Sequence, residues 1–164
     1  MPNSKRIVIN TGPLLALIAG MENLDILDSL YEQVVVPFEV CEEILSGGSA
    51  SFGIREFIAA DFLVKINHPT KIYPHLQNSL DSGESSVIQT ALDNKIQTVC
   101  IDETVGRRVA RLNGLKLTGS LGIMIRAKRE GYPLILRDAV ERMRTQGIWL
   151  SDRLVSFALQ QAGE

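Results

Sequence analysis

Four polar side chains, Asn10, Glu43, Glu84 and Asp102, have the type and placement to gather at one edge of a sheet. Asn10 follows the apolar run RIVI, and Asp102 follows TVCI directly. Glu43 lies on the segment leaving the VVV run, and Glu84 sits in the first turn of the segment from Asp81. Three carboxylates and one carboxamide form an oxygen-rich set, which suits Mg²⁺ or Mn²⁺. Zinc and copper chemistry is excluded, because His68 and His75 share one polar stretch with no cysteine near them. Each acid also has a structural reading. Asp81 and Glu84 stand in the D-x-x-E spacing of a helix capping box, Asp102 is placed to cap the helix after it, and Glu43 edges an apolar helix face. Glu84 extends the stripe of Val87, Ile88 and Ala91, so its carboxylate faces the core and needs a partner.

Elements must bring these residues together. Residues 5–9 form a β-branched run that ends in NTGP, a strand followed by a turn. LLALIAG and MENLDILDSLY read as two helical pieces separated at Gly20. Residues 34–36 read as a buried strand, and a helix over 37–45 begins at Pro37 and stops at Gly47 and Gly48. A helix over 53–60 and a short strand over 62–66 follow, and then NHPTKIYPHLQNS, the loosest segment. Order resumes with a helix over 81–94, a strand over 96–101, a helix over 103–113 and a strand over 116–117. Three helices over 121–130, 134–146 and 151–162 finish the chain. Strands alternating with helices predict an α/β fold, a three-layer α/β/α sandwich around a mainly parallel twisted sheet. No linker or repeat divides the chain, so residues 1–164 read as a single domain.

Composition narrows the class. No run of 18 apolar residues is present, and the first residues lack the layout of a signal peptide, so a cytoplasmic protein without a membrane span is expected. Cys41 and Cys100 read as reduced core residues. The net charge of −2 conceals an asymmetry: residues 104–145 hold ten basic and three acidic side chains. A basic region on one side of a domain suits a polyanion or, equally, a solvated helix face. Arg107, Arg108 and Arg111 share one helix there and read as phosphate contacts or as solvated ion-pairing groups. Ser120, in TGSLG, reads as a helix N-cap or part of a phosphate-binding backbone nest. No dinucleotide fingerprint, P-loop or nucleophile elbow is present.

In order, IVINTGPLLALIAG, VVVPFEVCEEIL and the long block from LDSGESSVIQ to TGSLGIMIRAK resemble the PIN-domain family nearly end to end. The L-D-x-G-E and T-G-S-L-G spellings resemble a prokaryotic branch related to VapC-type toxins. The resemblance implies metal-dependent RNA cleavage, with Asn10, Glu43, Glu84 and Asp102 as the acidic set and Asp81 as an outer carboxylate. One or two Mg²⁺ ions would activate water and steady charge on the phosphate. It also implies RNA contact through Thr11, Arg107, Arg108 and Ser120, a homodimer, and a cognate antitoxin. Active PIN nucleases mostly carry aspartate at the first position, where this chain has Asn10. Two classes therefore stay open: a ribonuclease, and a PIN-like module that binds nucleic acid or a partner with little or no catalysis.

Overall fold

The computed structural model describes residues 5–47 and 51–164. Gly48, half of the expected stop at the end of the third helix, and the residues before Lys5 lie outside that range. Five parallel strands form one sheet in the order β3-β2-β1-β4-β5. They are β1 (Arg6–Ile9), β2 (Gln33–Val36), β3 (Val64–Lys65), β4 (Thr98–Cys100) and β5 (Lys116–Thr118). Ile7, Val8 and Ile9 are wholly buried, as the central strand of a sheet covered on both sides must be. Register is set by Val8 opposite Val35 on one side and Val99 on the other. The edge strand β3 is short, exposed and carries Lys65, features that discourage edge-to-edge pairing. The α/β/α arrangement is the one expected from sequence.

Between β1 and β2 lie α1 (Thr11–Met21) and α2 (Asp25–Leu30). The expected break at Gly20 is not there, because α1 runs through it. A Cβ at Gly20 would stand 2.8 Å from Met124 Cε and 3.1 Å from Met143 Cγ, so this glycine serves close helix packing. The helix instead ends at Glu22, in the left-handed region at φ 68°, whose N–H donates to the Ile18 carbonyl. Next come α3 (Phe38–Ser46), closed by Gly47 at φ 57°, and α4 (Ile54–Ala59).

The segment expected to be loosest is tethered. It contains a short helix, α5 (Pro74–Gln77), with proline at the first helical position. Glu39 accepts from both the amide and the hydroxyl of Thr70, Gln89 accepts from the Tyr73 amide, and Leu76 is fully buried. Then follow α6 (Ser82–Asp93), α7 (Thr104–Leu112), α8 (Ser120–Arg129), α9 (Leu136–Thr145) and α10 (Asp152–Gln161). Among the described residues no helix is long and apolar enough to cross a membrane. Cys41 and Cys100 are free and buried.

The N-terminus of α9 is capped from far along the chain. Its N-cap residue, Ile135, offers no polar side chain, and the Glu164 carboxylate accepts instead from the amides of Leu136 and Arg137 at 2.6 and 3.1 Å, and from Lys128. Burial pushes this carboxyl up, but the bonds from Lys128, Arg137 and Leu136 outweigh it and hold it below its ordinary range. Glu164→Ala is therefore expected to lower stability at neutral pH by about 1–2 kcal/mol, as loss of a good cap does. The deficit should vanish as pH falls through the native carboxyl's pKa, because the bonds need the ionised form. Urea unfolding of both proteins at neutral and acidic pH checks this.

Candidate active site

The sheet order turns back on itself between β1 and β4, and at such a switch point the loops leaving two adjacent strands diverge to open a crevice. Asn10 leaves β1 and Asp102 follows β4 by two residues. The pairing of Ile9 with Cys100 sets them side by side, and the Asn10 amide continues the ladder by donating to the Cys100 carbonyl at 3.1 Å. Asn10 is only 9% exposed, and its Oδ1 has no hydrogen-bond partner. A buried carbonyl oxygen without a partner is unfavourable by about 1–3 kcal/mol, so it marks a place where a cation or donor is wanted.

That oxygen points toward two carboxylates. Around the position a Cβ of Gly83 would occupy stand Asn10 Oδ1 at 3.2 Å, Asp81 Oδ1 at 3.5 Å and Glu43 Oε2 at 3.6 Å. They arrive from three directions: Asn10 from the end of β1, Glu43 from α3, and Asp81 from the N-cap of α6, against which α3 packs. Gly83 has no side chain to fill the space between them. Among the described residues, no three His, Cys, Asp or Glu side chains stand close enough to hold a metal ion by themselves. Here the third oxygen comes from an amide, so the gathering is two carboxylates with one carboxamide. Its oxygen donors fit a hard divalent cation.

Glu84 is the buried acid of the group, 6% exposed. The D-x-x-E spacing does form a capping box: Asp81 Oδ1 accepts from the Glu84 amide at 2.8 Å. Burial raises the Glu84 carboxyl to about 7, helped by the negative charges of Asp81, Glu103 and Glu43 and opposed by the Asp81 amide. A Cβ at Gly106 would meet Glu84 Cδ at 3.3 Å and Ile101 Cγ2 at 2.9 Å, so glycine there leaves the acid its room.

Asp102 does not cap α7, whose N-cap is Glu103. It turns to α8 instead, its two oxygens accepting from the Ser120 amide at 2.9 Å and the Ser120 hydroxyl at 3.0 Å. Ser120 is thus the first residue of α8, with Gly119 as N-cap, and its hydroxyl orients an acid rather than closing its own helix. A Cβ at Gly119 would lie 2.6 Å from Asp102 Oδ1, which excludes a side chain from that position. Arg107 folds inward, donating from Nη1 to the carbonyls of Ile101 and Thr118 at the ends of β4 and β5. Arg108 and Arg111 are exposed on α7. Thr11 is buried, with its hydroxyl unpartnered. The exposed His68 and His75 take no part in the acidic group.

Beside this group an open cleft of about 460 Å³ is lined by Asn78, Leu80, Asp81, Glu84, Glu103 and Val105. Glu103 had no signal in the sequence beyond its position after Asp102, and the fold makes it one of three negative charges acting on Glu84, with Asp81 and Glu43. The model of one protein family, DUF3368, described as a PIN domain, matches residues 6–164. The chain belongs to the PIN-domain family. Comparisons with curated proteins and with solved structures give no match. PIN domains have a nuclease-type fold, are generally hydrolases acting on nucleic acid, and typically use divalent metals. In this PIN domain the acidic edge lies at the switch point of the sheet between β1 and β4.

The raised Glu84 carboxyl fixes a pH dependence. Between its ordinary pKa and about 7 the folded PIN domain holds a proton that the unfolded chain releases, so stability falls as pH rises through that window. In EDTA, Glu84→Gln should remove this slope and leave the variant more stable than wild type at pH near 8, by about 3 kcal/mol at most. Urea unfolding from pH about 5 to about 8 measures it. Parallel curves for the two proteins would contradict the assignment.

Proposed function

We propose that the chain is a divalent-metal-dependent ribonuclease, with Mg²⁺ or Mn²⁺ held by Asn10, Glu43, Asp81, Glu84 and Asp102. The observation that carries this reading is the unpartnered, buried Asn10 Oδ1, which lies with oxygens of Glu43 and Asp81 beside Gly83. Such a cation supplies electrostatic stabilisation of charge on the phosphate and acidifies water. The chain's own residues do the rest. Asn10, Glu43 and Asp81 form the oxygen cradle, Ser120 fixes the Asp102 carboxylate, and Arg107 ties the ends of β4 and β5 on which Asp102 stands. Glu84, whose carboxyl keeps its proton up to about 7 in the cation-free protein, would ionise beside the cation and add a further oxygen ligand. Arg108 and Arg111, exposed on α7 next to the cleft-lining Val105 and Glu103, meet the RNA backbone outside the acidic edge.

The resemblance of the L-D-x-G-E and T-G-S-L-G spellings to VapC-type toxins suggests a wider reading: a cytoplasmic toxin, acting as a homodimer and held by a cognate antitoxin. One observation favours a second reading. Asparagine at position 10 leaves the cradle one negative charge short, which suits a PIN-like module that binds RNA and cleaves it slowly or not at all.

Cleavage of single-stranded RNA with Mg²⁺ or Mn²⁺ separates the two. The ribonuclease reading expects metal-dependent cleavage that Asp102→Asn and Glu84→Gln each reduce by at least about a hundredfold, a loss typical for groups that stabilise transition-state charge. RNA affinity should change little in those variants and fall in Arg108→Ala. Absence of cleavage by wild type, with RNA binding that depends on Arg108, favours the binding module.

A further inference from the structure

The segment of residues 67–79 remains outside the acidic edge, yet it borders the same cleft. It carries Lys71, two histidines and Tyr73, and no aspartate or glutamate. Its backbone is firmly held: Thr70 on Glu39, the Tyr73 amide on Gln89, and the Leu76 side chain in the core with its carbonyl accepting from Ser85. A segment so anchored would be free to bury its aromatic rings, but it presents them. Tyr73 is 57% exposed, and its ring stacks on that of the exposed His75, with centroids 6.1 Å apart and planes inclined by 27°.

The pair stands next to the cleft. His75 and Asn78 are three residues apart across α5 and so share a face, and Asn78 lines the cleft. The Ser79 hydroxyl, also at the cleft, donates to the His75 carbonyl at 3.4 Å. An aromatic pair on a rigid tether, in a segment with no aspartate or glutamate of its own, suits an unpaired nucleobase.

We propose that Tyr73 and His75 form a base-stacking subsite for single-stranded RNA, on the segment whose end, at Asn78 and Ser79, lines the acidic cleft. It rests on the ribonuclease reading and deepens it: unpaired bases dock on this rim while the adjoining phosphate enters the cleft. Duplex RNA, with its bases already stacked, cannot use the platform.

A short, cleavage-resistant 2′-O-methylated single strand containing 2-aminopurine tests this, titrated into the full chain with and without Mg²⁺. Stacking quenches the probe. Tyr73→Leu is expected to weaken binding by about five- to a hundredfold and to abolish the quench, in line with the loss of one base–aromatic stack. Tyr73→Phe, which keeps the ring, should retain both. Because Tyr73 contributes its backbone amide, and not its exposed ring, to the bonds that hold the loop, thermal melting of these variants should match wild type. Wild-type binding and quenching in Tyr73→Leu would overturn the subsite and leave the ribonuclease reading standing. No binding by the wild-type chain in either condition would overturn both.

Discussion

Carboxylates collected at one edge of a parallel sheet repel each other, and the rest of this site is arranged around that repulsion. Two unit charges about 4 Å apart, at an effective dielectric near 20, interact by about 4 kcal/mol. Here burial first, and then the charges of Asp81, Glu103 and Glu43, make Glu84 hold its proton up to about 7. Two further acids are steadied by donors: Asp81 by the Glu84 amide, and Asp102 by the amide and hydroxyl of Ser120. Asn10 belongs to the same logic. Replacing an expected aspartate with an amide removes one repulsive charge from the cation-free protein, at the expense of attraction for a cation, while its oxygen stays in place as a neutral donor.

Glycines complete the arrangement. Gly83, Gly106 and Gly119 each face an acidic side chain across a gap that a Cβ would narrow or close. None of the three is among the residues with positive φ, so the backbone does not require glycine at these places. What they supply is space. It falls between Asn10, Glu43 and Asp81 at the first, beside Glu84 at the second, and against Asp102 at the third. The fold thus gathers the acids and also keeps the volume between them open.

Much of this was legible in the sequence because it depends on local order. β-branched runs mark the strands, residues directly after strands mark the ends where ligands gather, and D-x-x-E marks the start of α6. Long-range contacts were not legible. Gly20 reads as a helix break from composition, and only its approach to Met124 and Met143 shows why a helix continues through it. Asp102 next to a helix reads as its cap, yet Ser120, eighteen residues on, claims both oxygens. Arg107 and Arg108 are neighbours in sequence with different tasks, one tying strand ends and the other exposed. The polar, proline-bearing stretch before Asp81 reads as loose, because the bonds from Glu39 and Gln89 that fix it come from distant helices.

The central claim is that the oxygens of Asn10, Glu43 and Asp81, gathered beside Gly83, hold a cation in the space that the missing side chain of Gly83 leaves between them. Titration calorimetry of Mn²⁺ into wild type and Gly83→Ala, with melting of both in EDTA, tests it most directly. The account predicts binding by wild type and loss of binding in Gly83→Ala, without a lower melting temperature, since alanine favours a helix over glycine. Wild type that binds no Mn²⁺, or Gly83→Ala that binds it equally well, would contradict the account.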